Sequence, residues 1–265
     1  MTVLRSALLS REGFEHGFGT KRTTPEEYPD KVHILLQVHG EKVVVLSEYP
    51  VPGTRYSAEK YSGREKLEES GILNPQSGIA GSNLDVKYVD LPADPFRFDE
   101  GDAMVSSIPG ISMGIRTADC LPVLIVDRIN GTAAAVHCGW RSLALGLAGK
   151  AVRAMGEIMG SESKHLLAAI GPSIASCCYE VGEEVRAAFP PGDHREGLFE
   201  VREGKLFMDL ASGVKTQLIL EGMAPETIDE ITGCTSCNPD MFWSHRARRE
   251  EERMVSFITV RGPYR

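Results

Sequence analysis

The sequence predicts an α+β fold, in one large domain or two small ones, and three observations carry that prediction. Strand-like and helix-like segments follow one another in mixed order, not in the regular alternation of a doubly wound sheet. An Asn130-Gly131 turn signal separates two apolar, strand-like runs. Hydrophobic residues make up 42% of the 265 positions and charged residues 25%, the balance of a chain that buries a full core.

Along the chain, residues 20–32 and 50–78 are rich in Pro, Gly, Glu, Lys and Ser and read as surface connections, the second with a short helix near 64–70. Residues 33–46 (HILLQVHGEKVVVL) read as two short strands about a turn at Gly40, with His39 at the turn. Residues 111–126 read as one strand and 132–140 as its hairpin partner. In a hairpin with an even loop, paired positions have an odd sum, which puts Cys120 and His137 on one face near one end. From residue 141 the pattern turns helical: Leu143, Leu147, Ala151 and Met155 recur every fourth position, and Gly160 is a suitable stop. Further helices are expected at 179–189 and 210–221, and a closing strand at 257–260. No fixed-period repeat is present, which excludes a solenoid.

The 29 basic and 37 acidic residues give a net charge of −8, which argues against nucleic-acid binding, since that draws its affinity from cation–phosphate contacts. The N-terminal MTVLRSALLS has no continuous apolar core, and no run approaches a membrane span, so a cytoplasmic protein without membrane partners is expected. In a reducing cytosol the six cysteines serve packing, metal binding or catalysis. Cys177-Cys178 reads as packing. Cys234-Thr235-Ser236-Cys237, without a second such pair or a thioredoxin-like context in view, reads as ordinary buried thiols, with a redox or metal pair as the alternative.

Several motif matches fail on context. Gly110-Ile111-Ser112-Met113-Gly114 fits G-x-S-x-G but lacks the strand before and helix after that a nucleophile elbow needs. Gly149-Lys150 lacks the first glycine and the Ser or Thr of a phosphate loop, so Lys150 reads as a helix-surface lysine. His39-Gly40-Glu41 with Cys234 to Cys237 mimics a zinc deaminase, but Gly233 stands where a proline is needed. What holds is His39, Cys120 and His137: two imidazoles and a thiol, a donor set for zinc that leaves a fourth position open.

The motifs around this trio are Gln37-Val38-His39-Gly40, Gly101-Asp102-Ala103, Thr117-Ala118-Asp119-Cys120-Leu121-Pro122-Val123 and Val136-His137-Cys138-Gly139-Trp140-Arg141. His16-Gly17-Phe18, Ile170-Gly171-Pro172-Ser173, Tyr179-Glu180-Val181-Gly182 and Phe242-Trp243-Ser244-His245-Arg246 extend the string from about residue 14 to 257. Together they closely resemble the laccase-domain family, whose members are also called multicopper polyphenol oxidase, YfiH-like protein, purine nucleoside phosphorylase and peptidoglycan editing factor. The resemblance implies one domain over residues 1–265, with mixed β-sheets flanked by helices, related in fold to the deamidase domain of cytotoxic necrotizing factor. It implies a metal held by His39, Cys120 and His137, zinc with copper as the other candidate. It implies phosphorolysis of adenosine, inosine and methylthioadenosine, with adenosine deamination alongside, so a purine nucleoside and phosphate are the expected partners. Cys138 departs from the family's small residue after the histidine, and Ser244-His245-Arg246-Ala247 departs from its Ser-Tyr-Arg-Arg.

Within this reading His39, Cys120, His137 and Asp102 are the expected catalytic residues, Asp102 as the active-site carboxylate and Asp119 as a structural residue whose strand side chain faces away. Gly139 and Arg141, at the start of a helix beside the metal, are expected to hold phosphate through free N–H groups, the helix dipole and a guanidinium. Gln37 and Arg246, inside the matching motifs, join them as substrate contacts. The rival readings are an amidase that edits a peptidoglycan precursor, either metal-dependent or with Cys120 as nucleophile and His137 as base, a copper polyphenol oxidase and a metal-storing module. Seven histidines, two of them in the constellation, make a multicopper site a poor fit.

Overall fold

The computed structural model describes residues 2–47, 84, 86–90, 100–189 and 197–263. A seven-stranded mixed sheet forms its middle layer, in the spatial order Ile228–Glu230, Leu166–Ile170, Leu121–Asp127, Ala133–Cys138, Ala103–Ser106, Val43–Ser47, Val86–Asp90. The three inner pairings from Leu166–Ile170 to Ala103–Ser106 are antiparallel, and the outer ones are parallel. Strands Leu121–Asp127 (LPVLIVD) and Leu166–Ile170 (LLAAI) are buried at every position, because both faces of this sheet are covered.

One face carries the helices Leu147–Met159 and Leu210–Leu220, packed on Leu121, Val123, Ile125, Val136 and Ile170. The other packs through Met104, Leu124, Val126 and Ala135 against Phe18, Met113, Ile115 and Ile258 of a second sheet. That sheet has five strands in the order Val3–Leu4, His16–Gly19, Met254–Thr259, Ser112–Thr117, Val32–Ile34. A three-stranded antiparallel sheet, Glu180–Val181, Lys205–Met208 and Phe199–Arg202, completes the α+β architecture. No described helix is long and apolar enough to cross a membrane.

The hairpin forms as read, with Val126 opposite Ala133, Pro122 opposite His137, and Asp127 N–H donating to the Thr132 carbonyl at 2.9 Å. Cys120, two residues before Pro122, therefore falls on the His137 side. The run 111–126 is not one strand. Ser112–Thr117 belongs to the five-stranded sheet and Leu121–Asp127 to the seven-stranded one, and the chain crosses between them at residues 118–120. Likewise Val32–Ile34 and Val43–Ser47 do not pair about Gly40 but enter different sheets.

The helix expected from residue 141 is two helices, Trp140–Ala144 and Leu147–Met159, because Gly146 takes φ +77°, a left-handed conformation that ends the first. Gly160 stops the second as expected. The helix expected at 179–189 shrinks to Glu183–Ala187, since Glu180–Val181 pairs as a strand with Lys205–Met208. Lys150 is a helical lysine that pairs with Glu41. The helix expected near 64–70 lies outside the described residues.

Candidate metal centre and pocket

The site sits where the two sheets part. Ser112–Thr117 ends in one sheet, Leu121 begins in the other, and the crossing places Cys120 beside the end of the hairpin. Asp119 holds the crossing. It takes φ +88°, a conformation uncommon outside glycine but tolerated best by short polar residues. Its carboxylate accepts hydrogen bonds from Thr235 Oγ1, Ser244 Oγ and the Arg246 N–H, all at 2.6 Å. It anchors the crossing, but the expected strand side chain that faces away is not found: Asp119 lies in a left-handed bend and lines the same cavity as Cys120.

Asp102 is the second anchor. It continues the ladder in which Ala103 faces Val136, so it stands opposite His137, and its carboxylate is wholly buried. The His137 Nδ1–H donates to Asp102 Oδ1 at 2.9 Å. Backbone N–H groups of Val38, His39 and Gly40 donate to the same carboxylate at 3.3, 2.9 and 2.7 Å. One buried side chain thus fixes the orientation of the His137 ring and the bend that carries His39, whose φ is +59°. Burial raises the Asp102 pKa, but the His137 hydrogen bond and the Gly40 and His39 N–H groups outweigh it and hold the carboxyl below its usual range.

The donor atoms of His39, Cys120 and His137 all lie within 4.8 Å of one another, with Cys120 Sγ 3.9 Å from His39 Nε2. The imidazoles meet edge to face at 4.9 Å. Burial raises the Cys120 pKa, yet hydrogen bonds from His137 and His39 bring it down to about 6, so the thiolate form is favoured at neutral pH. Burial lowers the His137 pKa, while the bonds to Asp102 and Cys120 raise it to about 9. The donor set fits a zinc ion: a thiolate, a histidine whose Nδ1 is held by a carboxylate with Nε2 left over, and a second imidazole. A Cβ on Gly139 would stand 3.3 Å from both Cys120 Sγ and His39 Cδ2, so glycine there lets the backbone approach the trio.

The trio opens into a cavity of about 600 Å³ whose walls include Arg116, Trp140, Arg141, Tyr179 and Arg246. Arg141 is exposed and stacks on Trp140 at 4.3 Å. Arg246 lies 5.0 Å from the Tyr179 ring and donates to the Glu180 carbonyl at 2.7 Å. Tyr179 is pushed up to about 12 by burial and the Cys120 charge, so it keeps its proton.

Three further expectations change. Asp102 does not line the cavity; it stands behind the histidines with its lone pairs engaged, a positioning residue and not a carboxylate facing substrate. Gln37 lines the cavity, but its amide is spent on the Arg116 backbone, donating to the carbonyl and accepting from the N–H, both at 2.8 Å. The helix that Gly139 caps is only the five residues Trp140–Ala144, so its dipole is small and Arg141 is left as the main cation there. Arg116, Tyr179, His245 and Arg253 as pocket walls were not foreseen. They come from three separate parts of the chain and share no local motif. Cys138 points to the helix-side core, wholly buried and away from the trio, and burial raises its thiol pKa.

A family model described as multi-copper polyphenol oxidoreductase laccase matches residues 21–261. The chain belongs to that family. This laccase-family chain is 33% identical over 175 residues to a purine nucleoside phosphorylase of Aquifex aeolicus, covering 66% of the chain and 77% of that protein. It is 36% identical over 166 residues to adenosine deaminase RL5 from an unknown prokaryotic organism, covering 60% of the chain and 62% of that protein. Its fold is similar to the crystal structure of YlmD from Geobacillus stearothermophilus, with a TM-score of 0.72, 22% identity, and coverage of 98% and 97% of the two chains.

Proposed function

We propose that the chain is a zinc-dependent purine nucleoside phosphorylase acting on adenosine, inosine and methylthioadenosine. The observation that carries this reading is an open cavity in which the His39, Cys120 and His137 trio faces cationic walls. Among the described residues, the Arg116 and Arg141 guanidiniums make no side-chain hydrogen bond or ion pair, so both are free to take an anion. The names of the relatives support the same chemistry.

Phosphorolysis forms a bond from a phosphate oxygen to ribose C1′ as the C1′–N9 bond breaks, and the purine leaves with that electron pair and takes up a proton. Arg141 and Arg116 would hold the phosphate charge, and Arg246 with Tyr179 would form the wall against which the nucleoside stacks. Tyr179, protonated at neutral pH, would donate a hydrogen bond to the purine or ribose. Zinc held by His39, Cys120 and His137 would supply Lewis acidity and positive charge. Asp102 would keep His137 and the His39 bend in place for it.

Product analysis tests the reading. The protein, incubated with adenosine, should yield adenine only when phosphate is present. Inosine as the product would favour deamination, the reading supported by the similarity to adenosine deaminase RL5. The thiol-hydrolase reading is supported by the closeness of Cys120 to His137; it requires an uncoordinated thiol, so stoichiometric zinc on Cys120 would exclude it.

A further inference from the structure

Four cysteines outside the pocket also converge. Cys177 and Cys178, read from sequence as packing, meet Cys234 and Cys237, read as ordinary buried thiols, with all four sulfurs within 4.8 Å of one another. The sulfurs of Cys177 and Cys178 are 3.8 Å apart, those of Cys177 and Cys237 3.6 Å, and those of Cys178 and Cys237 3.3 Å. Cys177 and Cys237 are exposed, so burial of apolar surface does not account for the cluster. A disulfide places sulfurs at about 2.05 Å and joins only two of them. A tetrahedron with metal–sulfur bonds of about 2.3 Å has edges of about 3.8 Å, close to the spacing here.

The backbone is arranged for the same purpose. The Ala175 N–H lies 3.5 Å from Cys234 Sγ, a donor that favours a thiolate there. Cys178 and Tyr179 N–H groups both donate to the Ala175 carbonyl at 2.9 Å, which turns the two adjacent thiols toward the second loop. Asn238 donates from its backbone N–H at 3.1 Å and its side chain at 2.8 Å to the Cys234 carbonyl, which closes the C-x-x-C turn.

We propose that Cys177, Cys178, Cys234 and Cys237 form a second metal site, a closed tetrathiolate centre for zinc that is separate from the His39, Cys120 and His137 trio. Four protein ligands leave no open position, so its role is structural. It joins the loop that carries the pocket-wall Tyr179 to the loop whose Thr235 anchors Asp119. The sequence concealed it because each pair alone is ambiguous and the pairs are separated by some 60 residues.

The deciding protein is His39→Ala/Cys120→Ser, purified with reductant and analysed for zinc, with circular dichroism to confirm its fold. One zinc per chain supports the proposal, and a folded chain with none overturns it. Adding Cys177→Ser and Cys237→Ser to that protein should bring the count to zero; an unchanged count would also overturn it. Should these variants not fold, alkylation of the wild-type protein decides. Cys177 and Cys237, although exposed, should resist alkylation until a chelator is added; rapid alkylation without chelator, or an intact mass about 2 Da low from a disulfide, would refute the site.

Discussion

The Asp102 carboxylate receives the His137 Nδ1–H at 2.9 Å and, on the same side chain, the backbone N–H of His39 at 2.9 Å. Two of the three candidate metal ligands are therefore set by one buried group. Asp102→Asn keeps the size but turns an amide NH₂ toward N–H donors. It should weaken zinc binding by roughly ten- to a hundredfold, as loss of a carboxylate behind a ligating histidine does. Chelator competition measures this directly, and wild-type affinity in the variant would contradict the assigned role.

Asp119 joins Thr235, Ser244 and Arg246 to the crossing that delivers Cys120. Asp119→Ala should lower the unfolding free energy by about 3 kcal/mol, because it leaves hydroxyl donors unpaired and removes hydrogen bonds to a charge. Asp119→Asn, which keeps an acceptor, should cost less. Urea denaturation of both variants checks the order; equal stabilities of Asp119→Ala and wild type would remove the anchor.

The hairpin about Asn130-Gly131, the Gly160 stop and the helix Leu210–Leu220 were legible because each is written in neighbouring residues: turn chemistry, a left-handed cap and helical spacing. The metal trio was legible only through its motif string, since spacing alone does not join His39 to a hairpin a hundred residues later. The break at Asp119 was invisible for a physical reason. Residues 111–126 read as a strand with no Gly or Pro after Gly114 until Pro122, and the groups that hold Asp119 out of a strand lie 116 to 127 residues downstream. Gly146 was present in the sequence, but its neighbours Leu143 and Leu147 keep helical spacing through it.

His16 is wholly buried, with Nδ1–H donating to the Phe14 carbonyl and Nε2 accepting from the Ser6 N–H, both at 2.9 Å. Burial, reinforced by the Arg5 charge, lowers its pKa against the opposing Phe14 hydrogen bond. The folded pKa lies below the unfolded value of about 6.5. Its stabilising contribution is therefore fully present above that value and is lost as pH falls through the folded pKa. Unfolding free energy should drop between neutral pH and about pH 5 more steeply in wild type than in His16→Gln. Parallel curves for the two proteins would contradict the neutral, buried imidazole.

Arg141 stacks on Trp140 at the pocket wall, and its guanidinium makes no hydrogen bond or ion pair among the described residues. Arg141→Ala should raise the KM for phosphate by roughly ten- to a hundredfold, about 1.5 to 3 kcal/mol for a lost charged hydrogen bond. Zinc content and KM for nucleoside should stay near wild type. Phosphate saturation kinetics test it, and an unchanged KM for phosphate would place the anion elsewhere.

Phosphorus NMR of a mixture of inosine, phosphate and protein tests the central claim most directly, because it observes the bond that phosphorolysis alone creates. Ribose 1-phosphate should accumulate one for one with hypoxanthine and should be absent with Cys120→Ser. Hypoxanthine released without ribose 1-phosphate, or an undiminished yield from Cys120→Ser, would contradict a phosphorylase built on the His39, Cys120 and His137 centre.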